Sequence, residues 1–233
     1  MPDFPYRTAL IVGAGPGISA SLARELTSLG MAVGLVARNV DKLAGLAEET
    51  GAHRFAADAS DPASVEGLFD AVGKEIGDPD VVIYNASARA RGPLAELDPV
   101  EVQKALAVTA YGAFLVAHHA ARRMLPRGHG AILFTGATAG IKGFAGSAPF
   151  AMGKFALRGL AQSAARELGP KGIHVAHVVI DGGVRSEARP EPTDTPDSML
   201  SPDAIARSYV SVLRQERSAW SFEIDLRPWV ERF

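Results

Sequence analysis

The 233 residues carry 24 Lys and Arg against 26 Asp and Glu, a formal charge of -2, so there is no basic excess to hold a polyanion or an anionic bilayer, and neither nucleic acid nor membrane is an expected partner. Cysteine is absent, which excludes disulfides, thiolate metal ligands and cysteine nucleophiles. The N-terminal apolar stretch Ala9–Val12 is too short for a signal peptide or a membrane span, so a soluble cytoplasmic protein is expected, built as a single domain over residues 1–233.

The first predicted element is a strand at Thr8–Val12, a short run of apolar and β-branched residues. Gly13-Ala14-Gly15-Pro16-Gly17-Ile18-Ser19 follows and leads into a helix whose stripe is Ile18, Leu22, Leu26 and Leu29. A glycine-rich turn between strand and helix lets backbone amides approach a diphosphate, and the helix N-terminus adds partial positive charge. Pro16 removes one of those amides. The next strand, Ala32–Ala37, ends in Arg38-Asn39. NAD-selective sites of this kind place a carboxylate there for the ribose 2′-hydroxyl, whereas a guanidinium suits a 2′-phosphate. Arg38 therefore points to NADP(H) over NAD(H), unless it only pairs with Asp41 on the surface.

Asp61-Pro62, Asp98-Pro99 and Ser201-Pro202 are helix-start signals, a capping side chain followed by a proline suited to the first turn. The helix after Asp61 carries the stripe Val65, Leu68, Phe69, Val72 and Ile76. Further strands are predicted at Asp80–Tyr84, Ala131–Thr135 and Val175–Ile180. Strands alternating with helical segments specify βαβ units and a parallel sheet covered on both faces. Ser186–Ser201 has three prolines and mixed charge, and reads as a long loop of the kind that forms lids. The aromatic residues Trp220, Phe222, Trp229 and Phe233 predict a last strand and a tail that pack on the core or on a neighbouring subunit. The histidines His118, His119, His174 and His177 have no partner at metal-ligand spacing, and no metal site is predicted.

Taken in order, these motifs resemble the short-chain dehydrogenase/reductase superfamily over nearly the whole chain. Asp58-Ala59 is similar to its adenine-contacting aspartate, Tyr84-Asn85-Ala86-Ser87 to its Asn-Asn-Ala-Gly turn, and Asp181-Gly182-Gly183-Val184-Arg185-Ser186 to the turn beside the nicotinamide. Phe150-Ala-Met-Gly-Lys154 is similar to Tyr-x-x-x-Lys. The resemblance implies a Rossmann-type α/β fold, a doubly wound parallel sheet flanked by helices in three layers. It also implies cofactor contacts from Gly13, Gly15, Pro16, Gly17, Ile18, Arg38, Asp58, Ala59, Asn85, Ala86, Lys154, Gly182 and Val184. Ser19 stands where the family has its third glycine.

Of the family's catalytic Asn, Ser, Tyr and Lys, only Lys154 is kept. Thr109, Ala137 and Phe150 occupy the other three positions, as in a divergent subgroup with phenylalanine in place of the tyrosine. Phenylalanine cannot protonate an alkoxide, a task for which general acid catalysis contributes roughly 10²–10⁴-fold. Thr135 and Thr138 are the nearest substitute hydroxyls by strand parity, whereas Tyr111 and Tyr84 should face away. The expected function is an NADP(H)-dependent oxidoreductase for a small organic molecule with a nonstandard proton donor. The alternative is an inactive NADP(H)-binding sensor or partner subunit. Family likeness further implies a homodimer or homotetramer formed through the helices around Val102–Leu125 and Ser147–Leu168.

Overall fold

In the computed structural model, which describes residues 4–231, seven parallel strands form one sheet in the order β3-β2-β1-β4-β5-β6-β7. The strands are β1 (Thr8–Val12), β2 (Ala32–Ala37), β3 (His53–Ala56), β4 (Val81–Tyr84), β5 (Gly130–Thr135), β6 (Ile173–Ile180) and β7 (Glu223–Leu226). The crossover helices are α1 (Ile18–Ser28), α2 (Ala44–Thr50), α3 (Pro62–Glu75), α4 (Pro99–Leu106), α5 (Gly112–Met124), α6 (Ala148–Leu168) and α7 (Pro202–Leu213). This is the three-layer Rossmann arrangement that the strand and helix pattern predicts.

Both sheet faces are buried, which is why the strands read as unbroken apolar runs rather than alternating ones. In β1, Ala9 and Ile11 join the core beneath α1 and α7, while Leu10 and Val12 join the core beneath α3, α5 and α6. Leu22 and Leu26 of α1 are fully buried in the first core, and Val65, Leu68, Phe69 and Val72 of α3 in the second. Asp61 and Asp98 cap α3 and α4 by accepting from Ala63 N and Val100 N. Ser201 precedes α7 without a side-chain capping bond.

β3 was not legible as an apolar run, because of its four residues only Phe55 is buried and the strand lies at the sheet edge. The last strand is four residues long and begins after Phe222. Trp220 does pack inward, stacking on His174 at 4.6 Å, but Trp229 is 82% exposed. The expected packing of the tail on the core therefore stops short of Trp229, whose turn follows Pro228 with no strand to pin it. Phe233 lies outside the described residues.

Between α4 and α5, residues Ala107–Tyr111 form a π-helical turn, and the chain continues without a break to Arg127. The continuous helical stretch Pro99–Arg127 holds an 18-residue window of mean hydropathy 1.3, enough by length and composition alone to cross a membrane; α5 covers β4 and β5 and packs against α3.

Candidate cofactor cleft and active site

The sheet changes winding direction at β1 and β4. The chain leaves β1 toward β2 and β3, then returns to place β4 on the opposite side of β1. Ligands of open α/β sheets bind in the crevice beyond the carboxyl ends of the strands at such a point. Gly13 and Asn85 are the first residues past those two ends, and Asn85 N donates to Val12 O at 2.8 Å.

Gly13 must be glycine. Its φ is +86°, and a Cβ would come within 2.5 Å of Ala86 Cα. Gly13 N and Ala14 N both donate to Val36 O, at 3.0 and 2.8 Å, which ties the turn to the end of β2. Gly17, with φ +90°, starts α1 without a side-chain cap and with no acidic residue in the first turn. The first amide to find a helical acceptor is that of Ser21, which donates to Gly17 O at 3.0 Å; the amides ahead of it have no place in the helical ladder and are available to an anion.

Ser19, at the position of the family's third glycine, is buried. Its hydroxyl donates to Gly13 O at 3.1 Å and accepts from Asn85 Nδ2 at 2.8 Å. The substitution thus replaces close backbone contact with a hydrogen-bonded bridge from the turn to the β4 exit.

A cleft of about 600 Å³ runs from Gly13–Pro16 past Ala37, Arg38 and Asn39 to Asp58, Ala59, Asn85 and Ala86. Arg38 is exposed at its rim, with Lys42 beside it in the same lining. Asp41 does not take Arg38 as an ion-pair partner among the described residues; its amide instead donates to Asn39 Oδ1 at 3.0 Å. Asp58 Oδ1 accepts from the Ser60 hydroxyl at 2.6 Å and from Ser60 N at 2.9 Å. Those bonds, with a smaller contribution from Arg38, hold its carboxyl below the usual range.

A second cavity of about 340 Å³ shares Asn85, Ser87 and Arg89 with the first and continues past Ile18, Ala137, Phe150 and Lys154 to Gly182 and Val184. Sequence-distant candidates therefore meet along one continuous cleft. At its inner end Lys154 is 3% exposed, and its Nζ donates to Thr135 O at 2.7 Å. Burial, and secondarily the charge of Arg89, lowers its pKa from 10.5 to about 7. Phe150, one helical turn earlier on α6, is buried with its ring 5.8 Å from Lys154 Nζ. The guanidinium of Arg89 lies on that ring, 4.1 Å from its centroid.

Thr109 sits in the π-helical turn and does not line either cavity. Its buried Oγ1 accepts from Ala88 N at 3.0 Å and so anchors the segment that carries Arg89. The two substitute hydroxyls are engaged elsewhere: Thr135 Oγ1 shares a hydrogen bond with the Tyr209 hydroxyl at 2.8 Å, and Thr138 Oγ1 donates to Asp181 at 2.6 Å. Tyr111 is exposed, and the Tyr84 hydroxyl is spent on Val108 O. Arg89, Arg189 and Lys42 line the cleft without having been singled out in the sequence, where an isolated arginine or lysine carries no spacing signal.

The residues fit a dinucleotide: an amide-lined turn without an acidic residue in the first turn of α1, a cationic rim at Arg38 and Lys42, and Gly13, where a Cβ would collide with the Ala86 backbone. The short chain dehydrogenase family model matches residues 7–196. A cis-4-hydroxycyclohexanecarboxylate dehydrogenase of Sinomonas cyclohexanicum is 35% identical over 178 residues, 74% of this chain and 71% of that protein. A cyclic-di-GMP-binding biofilm dispersal mediator protein of Escherichia coli is 33% identical over 209 residues, 89% of this chain and 85% of that one. The crystal structure of a metagenomic short-chain oxidoreductase in complex with NADP superimposes with a TM-score of 0.85 at 30% identity, over 96% of this chain and 98% of the other. With its fold, its phosphate-binding turn and its matching sequence in agreement, the chain belongs to the short-chain dehydrogenase family.

Proposed function

We propose that this protein is an NADP(H)-dependent oxidoreductase for a small alcohol or carbonyl compound, working from a reduced catalytic set in which only Lys154 is retained. The observation that carries this is the continuity of the cleft from Arg38 at the outer rim to Lys154 at the buried end. Bound NADP(H) would supply or accept the hydride. The Gly13–Ser19 turn would hold the diphosphate, Arg38 with Lys42 the 2′-phosphate, and Lys154 the nicotinamide ribose.

Phe150 has no proton to give, and the nearby hydroxyls of Thr135 and Thr138 are committed to other partners. Lys154, with its pKa lowered to about 7, is then the group able to hold and release a proton at neutral pH. Its ammonium form spends one N–H on Thr135 O, which leaves two donor positions for the ribose and for a proton path to the carbonyl oxygen. Tyr111, Phe114, Met152 and Phe155 are exposed on the α4–α6 side, in keeping with self-association of a soluble, cytoplasmic protein through the helices at 102–125 and 147–168. Sedimentation would show a dimer or tetramer.

The test is titration of the protein with NADPH and NADH, followed by cofactor fluorescence, beside Arg38→Glu. NADPH should bind at least about tenfold more tightly than NADH, and Arg38→Glu should abolish that difference. Equal affinity for the two, or none for either, refutes the cofactor assignment. Binding with no NADPH oxidation across a panel of ketones and aldehydes would instead favour a protein that holds the nucleotide without turnover.

A further inference from the structure

The inner cavity is lined by Arg89, Lys154 and Arg189 and by no aspartate or glutamate. Two carboxylates on the flanking segments are engaged elsewhere: Asp181 accepts from Thr138 at 2.6 Å and lies 3.6 Å from Arg227, and Glu191 pairs with Arg185 at 3.5 Å and accepts from Met199 N. Neither Arg89 nor Arg189 forms a salt bridge among the described residues, and desolvation, then the charges of Arg91 and Arg189, disfavour the charged form of Arg89.

Both side chains are exposed, and each has one contact that orients its guanidinium group. Arg89 stacks on Phe150 and its segment is pinned by Thr109. Arg189 sits in a tight turn closed by reciprocal bonds, Ser186 N to Arg189 O at 2.9 Å and Arg189 N to Ser186 O at 3.0 Å. Its side chain packs over Gly183, where a Cβ would come within 2.9 Å of Nη2. The loop that carries it is closed at its base by Leu200 N to Gly183 O at 2.8 Å and Arg185 N to Leu200 O at 3.0 Å.

Two positioned guanidinium groups with no internal counter-charge, facing a small cavity, are a carboxylate-binding arrangement, since the planar donor fork matches a carboxylate in bidentate fashion. We infer that the substrate is a small oxo or hydroxy acid whose carboxylate is clamped between Arg89 on the Phe150 ring and Arg189 on the 186–201 loop. This deepens the oxidoreductase reading above, on which its catalytic meaning rests. Phe150 then has a positive role: its ring face holds the arginine that receives the acid.

The test is calorimetric titration of the protein, alone and loaded with NADPH, with pyruvate, acetoacetate and levulinate, each beside its methyl ester. At least one acid should bind about tenfold or more tightly than its ester, and Arg89→Gln and Arg189→Gln should each remove that preference. NADPH affinity should stay within about twofold of wild type in Arg189→Gln, whose residue lines the inner cavity and not the outer cleft. Acids binding no better than esters in wild type, or a preference that survives both substitutions, overturns the assignment. A large loss of NADPH affinity in Arg89→Gln also overturns it, by giving that arginine to the cofactor. Failure of wild type to bind NADPH would sink the oxidoreductase reading alone, because the acid-over-ester preference is also read on the protein without nucleotide.

Discussion

Lys154→Met tests the electrostatics of the buried end of the cleft. The ammonium is 3% exposed, so little solvent screening reduces the effect. Its pKa falls from 10.5 to about 7, first through desolvation and second through the charge of Arg89. A lowered lysine pKa means that the unfolded chain binds more protons than the folded one between those two values. Stability must therefore rise with pH across the window and level off above it. At about 1.4 kcal/mol per pH unit the full span is on the order of 5 kcal/mol, and the part accessible between pH 7.5 and 9.5 is about 3 kcal/mol. Methionine has a similar length and no titration, so the difference between wild type and Lys154→Met isolates this group. The tyrosines whose pKa burial raises, such as Tyr6 at about 12, are present in both proteins and cancel. Urea unfolding of the two at pH 7.5, 8.5 and 9.5 should show wild type gaining about 3 kcal/mol relative to the variant. A difference that stays constant within about 0.5 kcal/mol would mean that the lysine keeps its solution pKa, and the assignment of Lys154 as a neutral-pH proton carrier would fall with it.

The double variant Phe150→Tyr, Ala137→Ser restores the missing donors in a site that holds Lys154 and Arg89 beside the new phenol; NADPH-dependent carbonyl reduction should rise about 10²-fold or more, and no gain would show that the pocket itself has been reshaped. Gly13→Ala must accommodate both a φ of +86° and a collision with the Ala86 backbone, so thermal unfolding should show a loss of more than about 2 kcal/mol together with weakened NADPH binding; an unchanged melting temperature would contradict the packed turn. Glu223→Gln removes the carboxylate that accepts twice from Arg158, at 2.8 and 2.6 Å, and once from buried His177 at 2.9 Å. It should cost about 1–3 kcal/mol near neutral pH. Because these partners lower the Glu223 pKa, that contribution is present above the ordinary glutamate value and fades as pH falls through the lowered one, so the two proteins should converge in acid urea titrations.

What could be read from the sequence was whatever one segment encodes by itself. Val12 to Gly17 carries strand, turn and helix start in six residues, and Arg38 follows its strand directly. Lys154 falls one helical turn after Phe150, and all three conclusions needed only local spacing. β3 escaped because an edge strand with one buried residue has no apolar run to display. Trp229 is exposed on the chain's own surface, because aromatic character favours burial only where a neighbour is available. The carboxylate clamp was illegible for a different reason. Arg89 leaves β4, Phe150 opens α6 and Arg189 follows β6, so three separate crossovers must close before the charges share a cavity. In one dimension Phe150 is visible only as the loss of a hydroxyl. In three dimensions the same ring supports a guanidinium at 4.1 Å, and a tyrosine there would bring a hydroxyl into the cavity that Arg89 and Lys154 already supply with donors. The residue that looks like a deletion from the catalytic set is thus coupled to a gain elsewhere in the cleft, and substitutions at 89 and 150 should be non-additive in substrate binding where those at 38 and 150 add.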